Sequence, residues 1–222
     1  MSLVSDTAEY VRINHDIITE ALLQHARLAL VPVVIAVVLA LPLGWMIDRF
    51  GVARHALLTL GSVVYTIPSL ALLLILPGII GTSVLDPLNV IIALTAYSLA
   101  LLARTTADAF GSVDEQVLQA ASAMGYRSFR QWLTVQLPLA LPVMWAGIRV
   151  ATVANVSMVS IAALVGIGGL GQLFTRGFQL GFYPPPIVIG LVLSVMLAFL
   201  ADVLIVLAQR LSTPWVRAGA SR

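Results

Sequence analysis

The chain has no cysteine and no lysine in 222 residues, and only 10% of its residues are charged. Without cysteine there is no disulfide framework, no thiolate nucleophile and no thiolate metal site. Without lysine there is no Gly-x-x-x-x-Gly-Lys-Ser/Thr phosphate loop, so the chain is not itself an ATPase of that kind. Charge at 10%, against about 25% in an ordinary soluble domain, excludes a disordered chain and argues against a soluble enzyme. The three histidines, His15, His25 and His55, are scattered and make no metal-ligand pattern, so no metal is expected. A net charge of +2 is too small to indicate nucleic-acid binding.

What is abundant is apolar: 60% of the residues, with a mean hydropathy of +1.02. The apolar residues run continuously and do not alternate, which disfavours a β-barrel. The composition predicts an all-α integral membrane protein.

A membrane-spanning helix needs about 20 mostly apolar residues. Five runs meet or approach that length: Leu28–Ile47, Ala56–Ile80 interrupted by Pro68, Asn89–Ala103 continuing towards Ala109, Leu139–Val165, and Ile187–Leu207. Residues 1–27 form an N-terminal interfacial segment, in which Val11, Ile17, Ile18, Leu22 and Leu23 suit one stripe of a helix lying on the membrane. Residues 28–207 form one transmembrane domain, and residues 208–222 a C-terminal tail.

Arginine placement orients this bundle. Arg49, Arg54, Arg104, Arg127, Arg130, Arg210, Arg217 and Arg222 fall on one side, against Arg12, Arg27 and Arg176 on the other. The richer side is cytoplasmic by the positive-inside rule, which puts the loop 104–138 and the C-terminus inside and the N-terminus outside.

That inside loop carries its own helix signals. Ser112-Val-Asp-Glu115 reads as a capping box, Gly125 as the left-handed stop of the short helix it starts, and Ser128-Phe-Arg-Gln131 as a second capping box. Pro138 marks the turn into the next span. Val113, Val117, Leu118, Ala120, Ala121 and Met124 give the first short helix a broad apolar surface. By pattern alone it packs equally well on its own chain or on a partner.

The spacing of this loop resembles a known family. Gln119-Ala-Ala-Ser-Ala-Met-Gly125, then nine residues, then Val135-Gln-Leu137-Pro138 looks like the EAA loop of ABC-importer permeases, with Gln119 in place of Glu and Val135 in place of Ile. Thr66–Leu73, Tyr97–Thr105, Ala146–Thr152 and Gly166–Gly171 look like segments of the osmoprotectant branch, which serves glycine betaine, carnitine and choline uptake. The methionine permeases are the nearest competitor. A self-contained channel or secondary transporter is the other class, and it leaves the loop spacing unexplained.

The resemblance implies a type I importer-permease fold. It implies a second permease subunit, identical or paralogous, a cytoplasmic ABC ATPase dimer, and an extracytoplasmic solute-binding protein. ATP and Mg²⁺ would be used by the ATPase, with no cofactor on this chain. It makes residues 113–125 the helix held by the ATPase, with Asp114, Glu115, Leu118, Gln119, Ala120, Ala121, Met124 and Gly125 as its contact or shaping residues.

Within the spans, Arg149 and Asp202 are ionisable groups that a membrane tolerates only for a reason, and their depths allow an ion pair or gate latch. Pro68 breaks the second span beside Thr66 and Ser69. Tyr65 and Tyr97 are aromatic candidates for contact with a quaternary ammonium. Gly166, Gly168, Gly169 and Gly171 suit a tight turn into a short outer helix that ends near Gly181 and Pro184-Pro185-Pro186.

Overall fold

The computed structural model describes residues 3–49 and 51–219, with side chains throughout except at 51–54, 57 and 217–219. Residues 1–2 and 220–222 of the expected terminal segments lie outside the described residues. Described regular structure is helical, as a backbone in lipid must be when it is not a closed barrel. In chain order the helices are α1 (Leu3–Ile13), α2 (His15–Arg49), α3 (Gly51–Thr66), α4 (Ser69–Ile80), α5 (Pro87–Gly111), α6 (Glu115–Ala123) and α7 (Ser128–Gln131). After a π-helical turn (Trp132–Gln136) come α8 (Leu137–Ala162), α9 (Gly171–Gln179), α10 (Pro184–Ser212) and α11 (Pro214–Gly219).

Among the described residues, four helical stretches are long and apolar enough to cross a membrane, and the pair α3–α4 makes a fifth if counted as one sharply bent span. The interruption expected at Pro68 is a full break of the helix. Helix α3 stops at Thr66 and α4 restarts at Ser69, with Pro68 extended at φ −58°, ψ 130°. Proline has no N–H to give and disfavours helical backbone at the residue before it, here Ile67.

The expected boundary at 27/28 falls inside α2, and that at 207/208 inside α10. The stripe expected on residues 1–27 is divided. Val11 lies on α1 and the other four on α2, where Ile18 is buried while Ile17 and Leu23 are exposed. The cause is the unbroken helical propensity of 15–30, which joins the polar start to the apolar run.

Chain contacts divide the molecule into two compact units. The first comprises the chain up to Val34, with Ile67–Ala96 and Thr152–Asp202. Its core is Leu28, Ala29, Leu73, Leu76, Val90, Leu94, Val156 and Val159, with a second cluster of Tyr10, Ile18, Ala21, Leu170, Leu173 and Ile189. The glycine segment turns as the sequence predicts, with φ of +85° at Gly166 and +87° at Gly169. The short helix expected after it is α9, and Pro184 opens α10 where its missing N–H costs no helix bond.

The second unit comprises Ile35–Thr66, Tyr97–Ala151 and the chain from Val203 on. Its cores are built on small residues, Ala36, Ala40 and Ala151 around Leu102, and Ala109 and Ala140 around Phe110 and Met144. Small residues let helix backbones approach where no water is available to drive them together. Gly44 of α2 lies against Thr106 of α5, and Gly147 of α8 against Thr105, so close that a methyl group at either glycine would strike the threonine side chain.

Candidate functional site

The loop between α5 and α8 is a compact helix–turn–helix, as its spacing predicts, but its caps differ from those expected. The N-cap of α6 is Asp114, whose Oδ1 accepts the Gln116 N–H at 2.8 Å. Ser112, the expected cap, instead donates its hydroxyl to Ala109 O at 2.7 Å, because α5 runs on to Gly111. Glu115 Oε1 accepts from Gln119 Nε2 at 3.2 Å one turn on. The stop is as predicted. Gly125 has φ +84°, and the Tyr126 N–H donates to Ala121 O at 3.1 Å, the closing bond of a Schellman turn.

The expected second capping box does not form. Arg127 is the N-cap of α7 and gives no side-chain cap. Gln131 reaches back instead, donating from Nε2 to Leu118 O at 2.6 Å and tying α7 to α6. This bond directs the surfaces of α6. Ala121 is 2% exposed and Leu118 half-buried, facing their own chain. Ala120 is exposed and Met124 is 71% exposed, with Val117, Phe129 and Leu133 also open. The even choice that the pattern left is thus split by residue: one edge of α6 is anchored and the other is apolar and uncovered.

The base of this loop holds features that the motifs do not reveal. The Leu137 N–H donates to Trp132 O, five residues back, so the turn is π-helical. Pro138 follows and brings no N–H, so the register can slip there without stranding a donor. The indole of Trp132 packs within 6.2 Å, ring centre to ring centre, of Trp45, Phe110 and Phe129. Gln136 is buried, and its Nε2 donates to Asp48 Oδ2 at 3.0 Å. Pro138 is the local signal here; the partners Trp45, Asp48 and Phe110 lie far away in sequence.

Among the expected pathway residues, Tyr65 and Tyr97 come together edge-on, with ring centres 5.8 Å apart and planes at 83°. Tyr97 is 3% exposed and Tyr65 46%. Pro68 sits at the α3–α4 break, Arg149 within α8 and Asp202 within α10.

In the first unit, His25 is fully buried and hydrogen-bonded at both ring nitrogens. Nδ1 lies 3.1 Å from the Leu170 N–H and Nε2 lies 2.9 Å from Val156 O. An amide N–H can only donate, so Nδ1 is the acceptor and Nε2 carries the proton. Beside it the Gly169 N–H donates to Gln24 Oε1 at 3.1 Å. These bonds clamp the glycine turn to α2 and α8.

Comparison with known proteins is consistent with this architecture. The carnitine transport permease OpuCD of Listeria monocytogenes serotype 1/2a is 30% identical over 214 residues, 96% of this chain and 95% of that one. The glycine betaine/carnitine/choline permease OpuCB of Bacillus subtilis is 30% identical over 86% of each chain. The osmoprotectant import permease OsmW of Salmonella typhimurium is 32% identical over 94% of this chain and 98% of that one. In fold, the chain matches one in the inward-facing methionine ABC transporter MetNI with a TM-score of 0.81 and 22% identity, covering 89% of this chain and 96% of that one. Residues 28–213 match the family described as binding-protein-dependent transport system inner membrane component. The chain is a member of that family.

Proposed function

We propose that this chain is the permease subunit of an ATP-driven importer for a compatible solute of the quaternary ammonium class. The observation that carries the solute class is identity of about 30% over most of the chain to permeases named for carnitine, glycine betaine and choline. The likeness to methionine and amino-acid transporters, at 22% and 17% identity, speaks to fold alone.

In this reading the exposed edge of α6, with Ala120, Met124 and the neighbouring Phe129, seats in a partner ATPase that uses ATP and Mg²⁺. Asp114, Glu115 and Gln119 shape and cap the start of that helix, Leu118 and Ala121 anchor it, and Gly125 turns the chain after it. Movement of the ATPases displaces α6 and α7 together, because Gln131 ties them. The displacement reaches α2 and α5 through Gln136 and Trp132, which biases a two-state bundle between inward and outward access. The loop and C-terminus lie in the cytoplasm and the N-terminus outside, following the arginine distribution. A second permease subunit and an extracytoplasmic binding protein complete the importer.

The test is uptake into proteoliposomes by the complete importer with its binding protein. ATP-dependent accumulation of carnitine, glycine betaine or choline is expected. Accumulation of methionine with none of the three overturns the solute class. Accumulation driven by an ion gradient without ATP overturns the importer.

A further inference from the structure

One cavity of the second unit is left unused by the coupling loop. It lies between α3 and α5 and has a volume of 280 Å³, near the lower end for small-molecule sites. Gly61 and Ala100 form its narrow middle: a methyl group on Gly61 would lie 3.6 Å from the Ala100 Cα. Tyr65 and Arg104 line the same cavity. Tyr65 stands beside Tyr97, one turn before Ala100, and Arg104 stands one turn after it. Along α5 the aromatic end and the cationic end are therefore about 10 Å apart, between Cα levels, and the long arginine side chain can shorten that gap.

The two ends differ in chemistry. Tyr97 is buried and packs against Tyr65 with the ring planes nearly perpendicular, so it braces the Tyr65 ring and can cover at most one of its faces, and Tyr65 stays 46% exposed. A braced, open tyrosine face attracts a cation. The Arg104 guanidinium offers a fork that matches a carboxylate. The hydroxyls of Ser62 and Thr66 already donate to Leu58 O and Val63 O, at 2.9 and 2.7 Å. Among the described residues, no aspartate or glutamate lines the cavity. A primary ammonium would find no anionic partner for its N–H groups there. A quaternary ammonium has no N–H and needs only the ring.

We infer that this cavity is a transit site for zwitterionic quaternary ammonium carboxylates, with Tyr65 taking the ammonium and Arg104 the carboxylate. The inference rests on the importer reading above and narrows it. Carnitine and glycine betaine carry both groups, whereas choline lacks the carboxylate and brings its cation towards Arg104 with no compensation.

The experiment uses the complete importer in lipid nanodiscs, with the binding protein left out. Saturation-transfer NMR on the N-methyl protons of carnitine and of choline reads binding directly. Carnitine binds the wild type more tightly than choline does. Tyr65→Leu weakens carnitine about tenfold, and Tyr65→Phe retains it because the ring remains. Arg104→Gln weakens carnitine by a similar factor and leaves choline equal or improved, a change of order that a merely structural arginine would not produce. If the wild type accumulates carnitine under ATP in the proteoliposomes yet shows no saturation transfer to it in nanodiscs, the cavity proposal falls and the importer reading stands. Unchanged carnitine affinity in Tyr65→Leu or Arg104→Gln has the same consequence. If the wild type accumulates no quaternary ammonium solute, both fall.

Discussion

Gln136 donates its side-chain amide to Asp48 at 3.0 Å, joining residues 88 positions apart and fastening the base of the loop between α5 and α8 to the last turn of α2. Asp48 is only partly buried, so removing the donor by Gln136→Leu should cost about 1–2 kcal/mol. Gln136→Glu should cost more, because two carboxylates then face each other. Asp48→Asn should recover most of that second loss. Thermal unfolding in detergent of the wild type, Gln136→Glu, Asp48→Asn and the double variant gives the double-mutant cycle, with Gln136→Leu measured beside it. Equal stability of Gln136→Leu and Gln136→Glu would show that the pair does not matter.

The two edges of α6 make opposite predictions. Ala120→Asp lies on the exposed edge, so the protein should insert and fold but lose co-purification with the ATPase and lose ATP-driven uptake. Ala121→Asp buries a carboxylate at a site 2% exposed and should lower the yield of folded protein itself. Gly125→Pro should resemble Ala120→Asp in uptake, since φ is +84° there and proline fixes φ near −65°. Normal uptake by Ala120→Asp would remove the exposed edge from the docking surface.

Replacing His25 tests the clamp on the glycine turn. His25→Leu leaves the Leu170 N–H without its acceptor in a buried position, a loss of about 1–3 kcal/mol. His25→Gln should be milder, because an amide can still accept from Leu170 and donate to Val156. The midpoint of thermal unfolding ranks the three proteins, and a ranking with Gln below Leu would refute the assigned bonds.

Glycines should divide by what surrounds them. A methyl group at Gly171 would strike the Ser160 carbonyl oxygen, which is backbone and cannot swing away. Gly171→Ala should therefore destabilise the protein by about 1–3 kcal/mol. Gly78, within α4, has nothing within 4 Å of such a methyl group, and Gly78→Ala should be tolerated without loss. Expression level and unfolding midpoint measure both.

Much of the fold is legible locally because the lipid makes it so. Continuous apolar runs must be helices, and Leu28–Ile47 and Ile187–Leu207 are found within α2 and α10. Gly125 and the glycines at 166 and 169 announce their turns because positive φ is a property of single residues. The caps are less legible. Ser112 has the right side chain for an N-cap, yet α5 extends far enough to use it as a C-terminal donor, and Asp114 takes its place. Gln131 fits a capping box, yet a carbonyl on α6 is within its reach and wins. Two local signals compete there, and packing chooses between them.

The sequence alone determined that the chain lives in a membrane, which apolar runs become helices, and that a short helix stopped at Gly125 lies between two of them. Those follow from transfer of residues out of water and from backbone limits at proline and glycine, which act over a few residues. Only the tertiary structure decided that Ala121 is inside and Ala120 outside, that Gln136 meets Asp48, that His25 holds the glycine turn, and that Tyr65 and Arg104 share a cavity. Each of these joins groups that are distant in the chain or turns on one helical rotation, and short-range propensity carries no information about either.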